Sequence, residues 1–316
     1  MTRNRLLAAL SAAILGLSIA LPAQAKLDND EVDVTLIVHC CPGNVFFEPV
    51  MFGAREAAEK FNVNLDIQNA EGDPQRQINI IETAIANRQD GVVPMISVED
   101  AMIEVIAKAR EAGMAVVSSN IDDADTARQA FVGQDFIASG YIIGSRMIAE
   151  HGLKEGDHCV APVEFPDLIY AGERYAGVKK ALDAAGITSE MIGTGDQVAE
   201  NLNIVAEYLL ANPDTDCAIG LGNVPTSVLP QAAEEAGLDG LPNGGFDVNP
   251  RIMENINAGL TTATMDQQPF WQGFLPVMFI AYQVRYNLAP GSVDTGNGVV
   301  DASNAQAATD FAGTYR

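Results

Sequence analysis

The sequence contains few of the residues on which enzymes and nucleic-acid-binding proteins depend. Its 316 residues include three histidines, one tryptophan and four cysteines, and 18 lysines and arginines stand against 42 acidic residues. The resulting net charge of −24 repels phosphate backbones, so we expect no nucleic-acid partner. There is no G-x-S-x-G or H-E-x-x-H motif and no complete phosphate-binding loop. The sequence therefore predicts no catalytic residue and no cofactor.

The four cysteines are too few for a disulfide scaffold, so a hydrophobic core must carry the fold. Cys40 and Cys41 are adjacent, and a bridge between them would be strained. Cys159 and Cys217 stand near the starts of two predicted strands, which leaves a bridge between them open. We interpret the cysteines as small buried side chains. His39 precedes Cys40 without a second ligand pair at metal-site spacing, so we predict no metal site.

The first 25 residues have the three parts of a secretory signal. Arg3 and Arg5 precede an apolar run from Leu6 to Leu21, and Ala23-Gln24-Ala25 fits a processing site. The alternative, a membrane anchor, needs a run of about 20 apolar residues, which this segment does not reach. We expect cleavage after Ala25 and an exported, soluble, monomeric chain in the periplasm.

Strand and helix patterns alternate along the chain and begin again near its middle. The β-branched run at 34–39 opens the first series, which ends at 118, and a second series runs from 130 to 266. This order predicts an α/β fold of two doubly wound parallel-sheet lobes joined by a multi-strand hinge. The extra helix and strand after 266 imply that the chain recrosses between the lobes. We therefore assign 26–133 plus 268–297 to the N-terminal lobe and 134–267 plus 298–316 to the C-terminal lobe.

Polar and aromatic residues follow the predicted strands at their carboxyl ends, where a doubly wound lobe binds its ligand. Amides and carboxylates suit a hydroxyl-rich ligand, and aromatic faces cover its C–H surface. Tyr170 and Arg174, near the helix predicted after residue 163, are added to these residues. The candidate ligand-binding set is Asn44, Phe46, Phe47, Asn120, Gln134, Asp135, Tyr170, Arg174, Asn223, Phe246, Asp247, Gln267 and Trp271.

Simpler interpretations stand beside several of these assignments. Asn44 and Asp247 could cap helices, Asn120 could form a turn, and Phe46 and Phe47 could belong to the core. Trp271 could pack at the hinge. All of these residues nevertheless fall on the same edge of the two predicted sheets, which favours a binding site there.

Four segments resemble the periplasmic sugar-binding proteins of ABC importers, the ribose-binding-like group of type I solute-binding proteins. Asn44-Val45-Phe46-Phe47 is similar to their N-P-F-F opening, and 171–177 is similar to their R-x-x-G-F helix start. Gly245-Phe246-Asp247 and 264–269 are similar to their G-F-D and A-T-I-x-Q-x-P motifs. The resemblance implies the type I periplasmic binding protein fold, with a sugar held by Phe46 and Phe47 and hydrogen-bonded by Asn120, Asn223, Asp247 and Gln267.

The chain departs from that pattern at three positions. Asn120-Ile121 replaces an Asp-Arg pair, Gly172 replaces an arginine, and Ile96 replaces an asparagine. Two bidentate guanidinium donors are therefore lost, and the pocket should be less polar than a pyranose clamp. Tyr170, Tyr175 or Trp271 would fill the space.

The function predicted from the sequence is capture of a monosaccharide or sugar alcohol and its delivery to the membrane permease of an ABC importer. Three alternatives remain open at this stage. The chain could bind a non-sugar metabolite, it could be a secreted sugar-acting enzyme on the same fold, or it could also signal through a membrane chemoreceptor.

Overall fold

The computed structural model describes residues 30–296 and 298–316. The predicted signal segment and its cleavage site after Ala25 lie outside the described residues. The described chain folds around two six-stranded sheets, each covered by helices. This confirms the predicted α/β class with two doubly wound lobes.

The first sheet has the strand order β11-β5-β4-β3-β1-β2, and all of its pairings are parallel. Strand β1 is nearly all buried because helices cover both faces of the sheet, as its continuous apolar sequence predicts. Its strands are β1 (Val32–Val38), β2 (Val63–Asn69), β3 (Gly91–Pro94), β4 (Ala115–Asn120), β5 (Ala130–Gly133) and β11 (Val293–Asp294). Its helices are α1 (Phe47–Lys60), α2 (Pro74–Ala86), α3 (Ile103–Glu111) and α9 (Pro269–Tyr286).

The second sheet repeats the arrangement in the order β12-β10-β9-β8-β6-β7. Its pairings are parallel except for β12, which runs antiparallel to β10. Its strands are β6 (His158–Val163), β7 (Thr188–Gly193), β8 (Cys217–Gly220), β9 (Asn243–Phe246), β10 (Ala263–Asp266) and β12 (Gly298–Asp301). Its helices are α4 (Phe136–His151), α5 (Ile169–Ala184), α6 (Val198–Ala211), α7 (Asn223–Glu235), α8 (Pro250–Asn257) and α10 (Ala305–Thr309).

The chain passes between the two sheets at three places: from β5 to α4, from β10 to α9, and from β11 to β12. The assignment of 26–133 plus 268–297 to one lobe and of 134–267 plus 298–316 to the other stays a prediction. Helix α9 packs on α1 of the first lobe, while α4 packs on α5 of the second. Among the described residues, no helix combines the length and the apolar character that crossing a membrane requires.

Two disulfides correct our interpretation of the cysteines as small buried side chains, and one of them is the Cys159–Cys217 bridge that the sequence left open. Cys159 and Cys217 are bonded across neighbouring strands, because the register of β6 and β8 places them directly opposite each other with their Cα atoms 4.5 Å apart. Cys40 and Cys41 are bonded to each other in the turn after β1. That turn has a left-handed residue at Cys41 (φ 59°), which the strand pattern alone did not indicate.

Candidate ligand-binding site

A cavity lies between the two lobes at the carboxyl ends of both sheets. The first lobe contributes His39, Cys40, Cys41, Asn44, Phe46, Phe47, Asn120 and Ile121 to its wall. The remaining wall residues are Phe136, Glu164, Phe165, Tyr170, Arg174, Asp196, Gly222, Asn223, Asp247 and Gln267.

Aromatic rings form the wall that the start of α1 provides. The rings of Phe46 and Phe47 meet edge to face with their centroids 5.1 Å apart. The side-chain oxygen of Asn44 accepts a hydrogen bond from the backbone N–H of Phe46 at 3.0 Å, which fixes the turn that presents both rings. The sequence N-x-F-F therefore builds a rigid apolar surface at this edge of the sheet.

Asn44 also joins the two lobes across the cavity. Its Oδ1 accepts a hydrogen bond from Nδ2 of Asn223 at 3.1 Å, and Asn223 in turn accepts one from Asn249. At the opposite side of the interface, the backbone N–H of Ile169 donates to the carbonyl of Ser97 at 3.1 Å. These bonds between lobes define a closed arrangement of the cleft.

A chain of hydrogen-bonded polar groups runs along the base of the cavity. Asn120 donates to the side chains of Gln272 at 2.9 Å and Gln267 at 3.3 Å. Gln267 Nε2 donates to Oδ1 of Asp247 at 2.5 Å. Asp247 faces Arg174, with two N–O distances of 3.5 Å. The chain fixes the orientation of each group before a ligand arrives.

Arg174 is the central cation of the site and is almost completely buried. Its guanidinium donates to the carbonyl of Leu221 at 2.7 Å. It lies over three rings, with its Cζ 4.2 Å from the centroid of Phe246, 4.7 Å from Phe136 and 5.3 Å from Tyr170. Its Nε is buried and has no hydrogen-bond partner among the described residues.

Glu164 places a second buried carboxyl group at the cavity. Its Oε2 accepts from the hydroxyl of Tyr170 at 3.1 Å, and its Oε1 accepts from the backbone N–H of Val224 at 2.9 Å. Burial raises the pKa of Glu164, and the hydrogen bond from Val224 opposes that rise. Burial and the neighbouring Glu164 raise the pKa of Tyr170 well above its ordinary value. Gly222 permits this arrangement, because a Cβ there would lie 2.0 Å from Oε2 of Glu164.

His39 closes the cavity behind Phe47, with the two ring centroids 5.5 Å apart. Burial lowers the pKa of His39 to about 4, so its imidazole is neutral at neutral pH. Its Nδ1 has no partner within the part of the chain that the structure describes. His39 therefore adds a polar atom without adding charge.

Three residues near the cavity base have left-handed backbone conformations: Asn120 (φ 63°), Asp247 (φ 74°) and Gln268 (φ 51°). Asn120 ends β4, Asp247 follows β9, and Gln268 precedes α9. Asn and Asp tolerate this conformation better than most residues that carry a Cβ.

A family model described as a periplasmic binding protein domain matches residues 35–287. The chain belongs to this family. It is therefore a binding protein and not an enzyme, and the family places it in the periplasm or outside the cell. The matched range begins in β1 and ends just after α9, so it spans most of both lobes and stops before β11, β12 and α10.

Two named relatives match this chain in sequence over most of their length, and a solved structure matches its fold. The xylose/arabinose-binding protein of Sulfolobus acidocaldarius is 25% identical over 282 residues, which are 83% of this chain and 69% of that protein. The D-ribose/D-allose-binding protein of Pseudomonas aeruginosa is 29% identical over 236 residues, 71% of this chain and 73% of that protein. A carbohydrate transporter from Acidothermus cellulolyticus, solved with myo-inositol, has a TM-score of 0.82 at 26% identity and covers 90% of this chain and 99% of its own.

The structure of the binding protein brings nine of the thirteen candidate residues to the cavity wall: Asn44, Phe46, Phe47, Asn120, Tyr170, Arg174, Asn223, Asp247 and Gln267. Phe246 lies one layer behind, beneath the guanidinium of Arg174. Tyr175, which we considered as a space-filling residue, instead donates from its hydroxyl to the carbonyl of Ser189 at 2.9 Å.

Three candidates are placed away from the cavity. Gln134 donates to the carbonyl of Gly296 at 2.8 Å and so ties two crossing segments together. Asp135 accepts from the N–H of Ala138 as the N-cap of α4. Trp271 is 42% exposed and packs against Phe270 and Phe274 on the outer face of α9.

Several wall residues were missed by the sequence reasoning. Glu164 and Phe165 directly follow β6, so the rule that selected residues after other strands would also have found them. Gln272, one residue after Trp271, does not line the cavity itself, but it accepts a hydrogen bond from the wall residue Asn120 at 2.9 Å. Across residues 30–296 and 298–316, no three His, Cys, Asp or Glu side chains are grouped as a metal ion would require.

Proposed function

We propose that this protein captures a monosaccharide or sugar alcohol in the interlobe cavity and delivers it to the membrane permease of an ABC importer. The observation that carries the proposal is the composition of the wall. Phe46 and Phe47 offer ring faces for C–H groups, while Asn223, Asp247 and Arg174 offer directed donors and acceptors for hydroxyls.

The named relatives support the same ligand class. They bind xylose and arabinose, or ribose and allose, and the solved structure holds myo-inositol. These are small polyhydroxylated molecules with a rim of hydroxyls around a C–H surface. A cavity with one aromatic wall and a polar base is complementary to that shape.

Closure of the cleft would couple binding to delivery. The hydrogen bonds from Asn223 to Asn44 and from Ile169 to Ser97 form only when the lobes meet. A ligand that contacts both lobes therefore shifts the population toward the closed form. A permease that recognises this form would receive loaded protein.

A further part of the proposal concerns the processing and the oligomeric state of the exported chain. We propose that a signal segment is removed after Ala25 and that the mature protein is a periplasmic monomer. Its first residue would then be Lys26. Intact-mass measurement and light scattering of the exported protein test this, and an unprocessed amino terminus or a stable dimer would contradict it.

Ligand binding is tested by melting the protein in the presence of D-ribose, D-xylose, D-glucose, myo-inositol and amino acids. A ligand that binds only the folded state raises the melting temperature, and we expect a sugar or polyol to do so. Replacing Asn223 by Ala should weaken the affinity of the protein for that sugar or polyol by about 1–3 kcal/mol, because a ligand hydroxyl loses its hydrogen-bond partner. Calorimetry measures this affinity.

The exposed amide Asn257 supplies the matched control, since Asn257→Ala removes the same group from the surface of α8. It should leave the affinity unchanged. A shift caused by amino acids alone would point to a non-sugar ligand, and an Asn223→Ala variant with wild-type affinity would remove Asn223 from the site.

A further inference from the structure

The Cys40–Cys41 disulfide has a location that stability does not explain. Both cysteines line the interlobe cavity, and Cys40 is 6% exposed. A disulfide stabilises a fold chiefly by closing a loop in the unfolded chain. This one joins neighbours in the sequence and closes no loop. Because the disulfide lies in the cavity wall, its role is better sought in the complex with the ligand than in the stability of the fold.

The surroundings of the disulfide are apolar except at one point, where Sγ of Cys40 lies 3.7 Å from Nε2 of His39. Cys40 belongs to the buried cluster that contains Phe46 and Phe47, and Cys41 packs against it. Phe165 reaches the same cluster from the second lobe. The polar groups Arg174, Asp247 and Gln267 belong to the base of the cavity instead. The disulfide thus extends the aromatic wall with two sulfur atoms that carry no hydrogen-bond donor.

The turn that carries the disulfide is held in place by its neighbours. The side chain of Asn69 donates to the carbonyl of Cys40 at 2.9 Å, and the N–H of Asn44 donates to the carbonyl of Cys41 at 3.0 Å. The N–H of Gly72 donates to the carbonyl of His39 at 2.9 Å. Fixed backbone and a cross-linked side-chain pair leave little freedom to lose when a ligand binds.

We propose that the Cys40–Cys41 disulfide is a specificity-determining part of the ligand site that packs on the C–H face of the bound sugar or polyol beside Phe46 and Phe47. The inference rests on the proposed function. Polarisable sulfur is suited to contact with C–H groups. Two separate thiols would instead be freer to rotate and would each present an S–H donor to this wall. An oxidising compartment outside the cytoplasm keeps the bond formed.

The test compares two double variants. C40A/C41A removes the sulfur atoms, and C40S/C41S keeps groups of similar size but removes the cross-link and adds hydroxyls. We expect both to fold with a melting temperature within about 3 °C of wild type, because no loop closure is lost. We expect both to bind D-ribose, D-xylose or myo-inositol at least about tenfold more weakly than wild type, and the ratio of affinities among these probes to change.

The other disulfide gives the matched control. C159A/C217A removes two cysteines that do not line the cavity, so its affinities measured well below its melting temperature should equal those of wild type. Equal affinities in C40A/C41A and wild type would overturn the inference. So would a large fall in the melting temperature of C40A/C41A with unchanged affinity ratios, since that result means a structural role. If wild type binds none of the probes, the proposed function fails first.

Discussion

Removing the Cys159–Cys217 disulfide is expected to lower the free energy of unfolding by about 4 kcal/mol. The two cysteines are 58 residues apart in sequence, so the bond shortens a long loop in the unfolded chain. The chain-entropy relation assigns about 4 kcal/mol to a loop of that length. The measurement is denaturant unfolding of C159A/C217A followed by circular dichroism.

The Cys40–Cys41 pair is the control for this prediction, because it is a disulfide of the same chain that joins two adjacent residues and closes no long loop. C40A/C41A should unfold at nearly the wild-type denaturant concentration. Equal losses in the two variants would show that loop closure is not the source of the stability. Retention of wild-type stability by C159A/C217A would show the same.

Removing either partner of the Arg174–Asp247 ion pair is expected to lower the free energy of unfolding by about 3–5 kcal/mol. Both side chains are almost fully buried and face each other at 3.5 Å. Arg174→Met leaves a carboxylate without its cation, and Asp247→Asn leaves the cation without its carboxylate. Each change strands a charge away from water. The same variants should lose detectable sugar binding, because both groups lie in the cavity wall.

The double variant R174M/D247N tests whether the cost comes from the stranded charge. It removes both charges. We therefore expect its loss in free energy of unfolding to be much smaller than the sum of the losses in the two single variants. The exposed pair Lys179 and Asp183 is the control, and its neutralisation should change stability little. Additive losses in R174M/D247N would mean that packing, rather than charge pairing, dominates at this position.

The order of strands and helices could be predicted because each element has a strong local signal. The β-branched segment at 34–39 is observed as Val32–Val38, and the helix expected at 137–151 is observed as Phe136–His151. The two-residue strand β11 (Val293–Asp294) and the helix α10 (Ala305–Thr309) were not predicted. Elements so short have almost no periodicity, and their structure depends on contacts with the rest of the fold.

The candidate site could be located but not completed from the sequence. Parallel sheets bring strand ends together, which is why Asn44, Asn223 and Asp247 meet at one cavity. Which side of a helix faces the cavity depends on its exact phase. The sequence suggested Trp271 because tryptophan is unusual here, whereas the backbone of α9 turns Gln272 inward. The disulfide of Cys40 depends on a left-handed turn that no pattern of hydrophobicity encodes.

The left-handed residues at the base of the cavity limit how such a receptor could be given a new ligand. At Asn120 and Asp247 a β-branched side chain would meet a backbone that it adopts only at substantial cost. Exchange at these two positions is thus confined in practice to asparagine, aspartate and glycine. Phe46, Glu164 and Phe165 have no such restriction, so libraries aimed at altered selectivity should vary them first.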